Sequence, residues 1–127
     1  SIFQPGDHGS TFGGNPLACA VAREALRVIE EENLIEKSLF MGHYLKESIR
    51  NILSPYVKEV RGMGLLIGVE LKKSAGGARK FCETLMEKGI LCKETHKHVI
   101  RFAPPLTITK EELDWALDRI ESVLTVP

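Results

Sequence analysis

Apolar residues along this chain follow two spacings, one typical of α-helices and one typical of β-strands. Helical spacing predicts a first, amphipathic helix from Pro16 to Glu31. Asn15 is the expected N-cap, because asparagine is a preferred capping residue and it directly precedes Pro16. Proline suits the first helical position, where its missing N–H costs no helical hydrogen bond. The same spacing resumes after Asn33 and stops at Pro55, which predicts a second helix between these residues.

Two more helices are predicted in the second half of the chain. An apolar stripe from Ala78 to Met86 predicts a third helix, and Gly89 is the candidate for its C-terminal cap. Thr109 and Glu112 have the spacing of a capping box, and the residues that follow are apolar at helical intervals. A last helix is therefore predicted to begin immediately after Thr109.

Short runs rich in apolar, aromatic or β-branched residues predict the strands. These runs lie at residues 56–60, 65–71, 90–92 and 99–103, with residues 94–98 as a polar connection between the last two. Gly62 and Gly64 predict a sharp turn between the first two strands. They do not form a dinucleotide-binding fingerprint, because a strand is predicted where that fingerprint needs a helix.

Strands interleaved with helices in this order predict an α+β fold, an α/β sandwich in which helices cover one face of a short sheet. Residues from about Glu31 onward are expected to form a core of their own, preceded by a loop and a linking helix. The chain begins without methionine and with residues that have no periodic pattern. We therefore expect it to be a piece of a longer polypeptide.

The composition of the chain argues against nucleic acid and membranes as binding partners. The chain has 127 residues, of which 43% are hydrophobic and 27% charged, as in globular domains with a core. Its 17 basic and 17 acidic residues give a formal net charge of +0, so no overall field favours nucleic acid. The sequence shows neither a signal peptide nor an apolar run long enough for a bilayer. We expect a cytoplasmic protein with no nucleic-acid or membrane partner.

The cysteines do not form a disulfide framework. Cys19, Cys82 and Cys92 are odd in number and widely spaced, which suits a reducing compartment. Cys19 and Cys82 lie on apolar faces of predicted helices. Cys92 together with His96 and His98 matches no common zinc spacing, so no metal site is expected.

A glycine-rich loop at residues 9–16, GSTFGGNP, precedes the first helix. Glycines let backbone N–H groups converge on an anion, and the hydroxyls of Ser10 and Thr11 are additional donors, so the loop suits phosphate. A loop that only shapes a turn before a capped helix is the alternative from local chemistry. The spacing of these residues does not separate the two interpretations.

Arg101 is the second candidate binding residue. It lies between Ile100 and Phe102, so strand alternation places it on the face opposite its apolar neighbours. Its planar guanidinium is suited to a substrate carboxylate, which it binds with two parallel hydrogen bonds. Alternation is equally satisfied by an arginine that only faces solvent.

Residues 8–17, HGSTFGGNPL, resemble a loop of the class III aminotransferases, which use pyridoxal 5'-phosphate. In that family the Ser-Thr pair approaches the phosphate of a cofactor bound in the neighbouring subunit. The resemblance thus implies a homodimer with shared active sites, in which Thr11, and secondarily Ser10, binds the cofactor phosphate. It also implies that residues 1–30 end a large cofactor-binding domain and that residues 31–127 form the small C-terminal domain of fold type I.

The resemblance extends over nearly the whole chain, including residues 59–66, EVRGMGLL, and residues 99–106, VIRFAPPL. In the family the arginine of the second motif binds the carboxylate of the amino-acid or 2-oxo-acid substrate, a role that falls on Arg101. Arg61, in the first motif, is expected to be structural. Residues 92–96, CKETH, look most like the ornithine branch, which moves the δ-amino group of ornithine to 2-oxoglutarate. The acetylornithine branch is the nearest alternative.

No catalytic residue is expected in this chain. The family's cofactor-binding lysine and the aspartate at the pyridine nitrogen lie upstream of these motifs, and Lys93 and Lys97 do not occupy that lysine's place. The chain alone is therefore expected to be inactive. An alternative of another class is a non-catalytic α+β module that binds an anion or a partner.

Overall fold

The computed structural model describes residues 2, 4 and 6–125. The chain divides into two compact units, one ending at Leu34 and the other starting at Ile35. The first unit contains the glycine-rich loop and helix α1 (Pro16–Glu31). The side chain of Asn15 accepts a hydrogen bond from the Ala18 N–H at 3.0 Å, which confirms the predicted N-cap.

Three helices follow, and they have the predicted order. They are α2 (Leu34–Asn51), α3 (Arg79–Glu87) and α4 (Lys110–Leu124). The capping box of α4 is confirmed, because the Thr109 hydroxyl accepts from the Glu112 N–H and the Glu112 carboxylate accepts from the Thr109 N–H. Lys88 is the C-cap of α3, and Gly89 follows it with a left-handed φ of 87°, so the predicted glycine ends the helix from one position beyond the cap.

The second unit contains one four-stranded antiparallel sheet of order β1-β2-β4-β3. Its strands are β1 (Val57–Met63), β2 (Leu66–Leu71), β3 (Lys93–Thr95) and β4 (Val99–Phe102). A two-residue turn joins β1 to β2, and Met63 pairs with Leu66 on either side of it. The sharp turn predicted from the glycines is therefore confirmed.

The core lies between one face of the sheet and the three helices, which confirms the α+β class. On the inner face of the sheet, Ile67, Val69 and Ile100 are fully buried. The helices contribute apolar residues to the same cluster, among them Met41, Leu45, Ile49, Phe81, Leu85, Leu113, Ile120 and Leu124. Met86, which the sequence placed in the stripe of α3, is instead 55% exposed.

The strand predicted at residues 90–92 is wrong. These residues have no regular structure, and the edge strand β3 is formed by residues 93–95, two of which were predicted as polar connection. The reason is the position of the turn, since His96 and Lys97 adopt left-handed φ values of 48° and 62°. This turn brings residues 93–95 opposite β4, and an edge strand does not need an apolar sequence.

Helix α2 approaches the β1–β2 turn so closely that no side chain fits between them. A Cβ added to Gly42 would lie 2.0 Å from the carbonyl oxygen of Gly64. The Ser38 hydroxyl, one turn earlier, accepts a hydrogen bond from the Leu65 N–H at 3.2 Å. Glycine at position 42 is therefore a requirement of the packing.

Candidate functional site

The glycine-rich loop carries the hydroxyl groups of Ser10 and Thr11. Ser10 and Thr11 are exposed, and neither hydroxyl has a hydrogen-bond partner among the residues that the structure describes. The loop itself is held by Asn15, whose Nδ2 donates to the Phe12 carbonyl at 2.7 Å while its Oδ1 caps α1. The capping residue of the helix thus also fixes the loop that carries the hydroxyls.

The path of this loop depends on glycine. A Cβ at Gly13 would lie 2.9 Å from both Cβ and Oγ of Ser10, and Gly14 has a φ of 76°. Exposed O–H donors on such a loop fit a phosphate group, which accepts several hydrogen bonds at once. The donor set therefore agrees with the phosphate end of pyridoxal 5'-phosphate.

Arg101 lies on the outer face of the sheet, opposite the core. Its neighbours Ile100 and Phe102 are 0% and 4% exposed, whereas Arg101 is exposed. Its Cα pairs with Gly68 of β2 on one side and with Lys93 of β3 on the other. The alternation predicted for this strand is confirmed.

Arg101 has no ionic partner among the residues that the structure describes. Among the arginines of the second unit, it alone has a side chain that makes no hydrogen bond, ion pair or ring contact with any residue that the structure describes. Gly68 contributes no side chain beside it, and Lys93 is a second cation. The guanidinium is therefore available to an external carboxylate.

Arg61 has the opposite character, although it lies in the same row of the sheet with Gly68 between it and Arg101. Its Nη1 lies 2.7 Å from the carboxylate of Glu70 and 3.1 Å from that of Glu59. The pKa of Glu70 lies below its usual value, mainly because its carboxylate accepts a hydrogen bond from Lys58 and, to a smaller extent, because it accepts one from Arg61. Arg61 is thus engaged within the sheet, as the sequence analysis expected.

A shallow groove of about 340 Å³ runs along this outer face, and Arg61, Gly68, Thr95, Val99 and Arg101 contribute to its lining. The sequence analysis did not place Gly68 or Thr95 beside Arg101. The register of β4 with β2 and β3 brings these residues together. Thr95 was missed because the sequence analysis did not predict β3 at residues 93–95.

The predicted binding residues lie in different units. Ser10 and Thr11 belong to the first unit and Arg101 to the second, and each is positioned by its own unit. Lys93 is exposed in β3, and Lys97 lies in the turn after it.

In the described part of the chain, no three His, Cys, Asp or Glu residues are grouped to hold a metal ion. No helix in residues 6–125 has the length and apolar character needed to cross a membrane.

The glycine-rich loop thus has donors that suit a phosphate, and the exposed guanidinium of Arg101 suits a carboxylate. The sequence profile of the family Aminotransferase class-III matches residues 1–124. The chain therefore belongs to the class III aminotransferases.

Individual relatives narrow the comparison to the enzymes of ornithine metabolism. The chain is 60% identical over 123 residues to an ornithine aminotransferase of Halalkalibacterium halodurans, covering 97% of this chain and 30% of the relative. Its fold is similar to that of the ornithine aminotransferase of Toxoplasma gondii, with a TM-score of 0.83, 45% identity and coverage of 97% and 30%. An acetylornithine aminotransferase of Elizabethkingia anophelis gives a TM-score of 0.83 at 40% identity, with coverage of 97% and 33%. The chain thus spans about a third of the length of these relatives.

Proposed function

We propose that this chain is the C-terminal part of an ornithine aminotransferase. The intact enzyme would transfer the δ-amino group of ornithine to 2-oxoglutarate, giving glutamate semialdehyde and glutamate. The observation that carries the proposal is Arg101, an exposed arginine whose side chain has no partner among the described residues, in a segment that resembles the carboxylate-binding strand of the family. The similarity to ornithine aminotransferases supports the choice of substrate.

In this proposal the loop binds the cofactor. The hydroxyl of Thr11, assisted by that of Ser10, donates to the phosphate of pyridoxal 5'-phosphate held by the partner subunit of a homodimer. Both hydroxyls are exposed and have no partner among the described residues, which leaves them available across an interface. When bound, the cofactor supplies the electron sink that lets an amino group move between an amine and a 2-oxo acid.

Arg101 holds the substrate. Its guanidinium binds a carboxylate of ornithine, 2-oxoglutarate or glutamate through two parallel hydrogen bonds. The bidentate geometry fixes the orientation of the substrate as well as its position, which is how binding energy favours a productive alignment. No residue of this chain is assigned a proton-transfer role.

The two units suggest a division of the chain between domains. None of the residues of α1 is buried, although Leu17 and Val21 recur on one face and are 74% and 62% exposed. A helix with an uncovered apolar face needs a partner surface. We therefore propose that residues 1–30 complete a large cofactor-binding domain and that residues 31–127 form the small domain.

The acetylornithine aminotransferases are the second candidate, since one of them matches this fold with a TM-score of 0.83. A binding module without catalysis is less consistent with membership of the class III aminotransferases. Since neither Lys93 nor Lys97 occupies the place of the family's cofactor lysine, the chain alone would be inactive.

The first test compares amine donors. The intact protein, saturated with pyridoxal 5'-phosphate, is expected to form glutamate from 2-oxoglutarate with ornithine at a kcat/KM well above that with N-acetylornithine. The 127-residue chain alone serves as the control and should give no turnover under the same conditions. A preference for N-acetylornithine would select the second candidate, and inactivity of the intact protein with both donors would contradict both.

A further inference from the structure

Two of the three cysteines of the chain line the same surface groove. Cys82 lies on α3 and is buried, whereas Cys92 precedes β3 and is half-buried. The two thiols lie near enough for each to influence the pKa of the other, although burial is the larger cause of the shift at both. Cys19 is exposed and lies in the other unit.

The pair is open to small molecules on one side. Both cysteines line a groove of about 280 Å³ on the surface of the second unit. Its lining also includes Arg79 and Glu83, whose side chains form an ion pair at 2.7 Å, and Met86, which is 55% exposed. A reagent of a few heavy atoms thus has a route to the sulfurs.

A metal site does not account for the placement of the two cysteines, because no third ligand among the described residues joins them. Their proximity is also not needed to fill the core, since Cys82 alone belongs to the buried cluster and Cys92 packs at its margin. Two neighbouring thiols that line one groove are, however, the starting arrangement for thiol–disulfide exchange.

We propose that Cys82 and Cys92 form a reversible dithiol–disulfide site that is oxidised by small organic disulfides. The Cys82 thiolate attacks one sulfur of the small disulfide, forms a mixed disulfide and releases one thiolate. Cys92 then loses its proton to solvent and attacks the Cys82 sulfur, which expels the second thiolate. In total, two protein thiols lose two electrons and two protons, and the small disulfide becomes two thiols.

The oxidised pair would join α3 covalently to the segment that leads into β3. Cys92 directly precedes Lys93, whose Cα pairs with Arg101, so the bond would tether the edge strand beside the candidate substrate arginine. A cross-link of this kind restricts the unfolded chain and raises Tm. This inference goes beyond the proposed function and does not depend on it.

The burial of the two thiols also affects the rate at which they are oxidised. Burial raises the pKa of Cys82, and burial together with the neighbouring thiol raises the pKa of Cys92 to about 12. Because the thiolate is the attacking species, oxidation should be slow at neutral pH and faster at alkaline pH, by about tenfold per pH unit while the pH stays well below the thiol pKa. The pair thus differs from rapidly reacting peroxide sensors, whose thiols have low pKa values.

The test uses the reduced intact protein and hydroxyethyl disulfide under anaerobic conditions. After remaining thiols are alkylated, peptide mass spectrometry should find a peptide pair cross-linked through Cys82 and Cys92, and dithiothreitol should restore both thiols. Cys19→Ser is the matched control and should leave the cross-link unchanged. The oxidised protein should have a higher Tm than the reduced protein.

Cys92→Ser keeps the buried cysteine and removes only its half-buried neighbour, so it should fold and form no cross-link. The inference fails if a mixed disulfide accumulates on Cys82 or Cys92 of the folded protein without closing to the cross-link. It also fails if both sulfurs stay reduced at alkaline pH while Cys19 is fully converted to a mixed disulfide.

Discussion

At the scale of single residues, the availability of Arg101 follows from its neighbours in the sheet. Gly68 on β2 offers no side chain, and Lys93 on β3 offers a like charge. Like charges directly opposite on neighbouring strands repel, so an anion between them would stabilise the folded state. Arg61, two strands across the sheet on β1, shows the contrasting case, because Glu59 and Glu70 already neutralise it.

Replacement of Arg101 by lysine is expected to raise KM for 2-oxoglutarate about tenfold to a hundredfold, since a planar fork becomes a point charge and charge-assisted hydrogen bonds are lost. Steady-state kinetics of the intact enzyme measures the effect. Arg61→Lys on the same row is the control and should change KM far less. An Arg101→Lys protein with normal kinetics and a lowered Tm would show that the residue is structural.

At the scale of elements, the contact between α2 and the β1–β2 turn fixes where the helix lies on the sheet. Alanine is favoured over glycine within a helix by about 1 kcal/mol, so Gly42→Ala would stabilise an isolated helix. Here the added Cβ would meet the Gly64 carbonyl oxygen at 2.0 Å, and backbone cannot move aside without opening the turn. The steric conflict therefore outweighs the propensity.

Gly42→Ala should lower the free energy of unfolding by about 1–3 kcal/mol, as overpacked cores do, and urea denaturation of the intact protein measures it. Gly68→Ala is the matched control, because a Cβ there meets Val99 Cγ1 at an ordinary 3.4 Å. The packing argument is refuted if Gly42→Ala is as stable as the parent protein.

Local signals predicted the elements well where the chemistry is local. The Thr109–Glu112 capping box and the Asn15 cap act within one helical turn, and the structure confirms both. The edge strand β3 was missed because its polar residues are held by pairing with β4, not by their own preferences. Likewise, no local pattern reveals that Gly42 meets Gly64 or that Cys82 and Cys92 line one groove, since such proximities arise only after the elements pack.

At the scale of the whole molecule, the proposed dimer would bring the glycine-rich loop to the cofactor phosphate held by the partner subunit. Local chemistry alone favoured a simple turn over a phosphate site at residues 9–16, and only the resemblance to the family pointed to phosphate. The exposed hydroxyls of Ser10 and Thr11 agree with donation to a phosphate, but the phosphate's position belongs to another subunit in this proposal. The binding roles of the loop and of Arg101 thus stay predictions, whereas the elements that carry them are established.

Thr11→Ala in the intact dimer is expected to weaken pyridoxal 5'-phosphate about tenfold to a hundredfold, because a hydrogen bond to a charged group is worth about 1.5–3 kcal/mol. Spectroscopic titration of the cofactor-free enzyme gives the dissociation constant. Thr11→Ser retains the hydroxyl and should bind almost as tightly as the parent. An unchanged dissociation constant in Thr11→Ala would exclude Thr11 from the phosphate site.

The two outer strands of the sheet bear on how this domain behaves at high concentration. The pairing of β1 shifts register between Val57 and Glu59, and β3 contains only three residues, with an exposed lysine at its start. Irregular, charged or short edges give a foreign strand no continuous template for backbone pairing. Fibril growth by strand addition is therefore disfavoured, and copies of the domain would associate through side-chain contacts instead of backbone pairing.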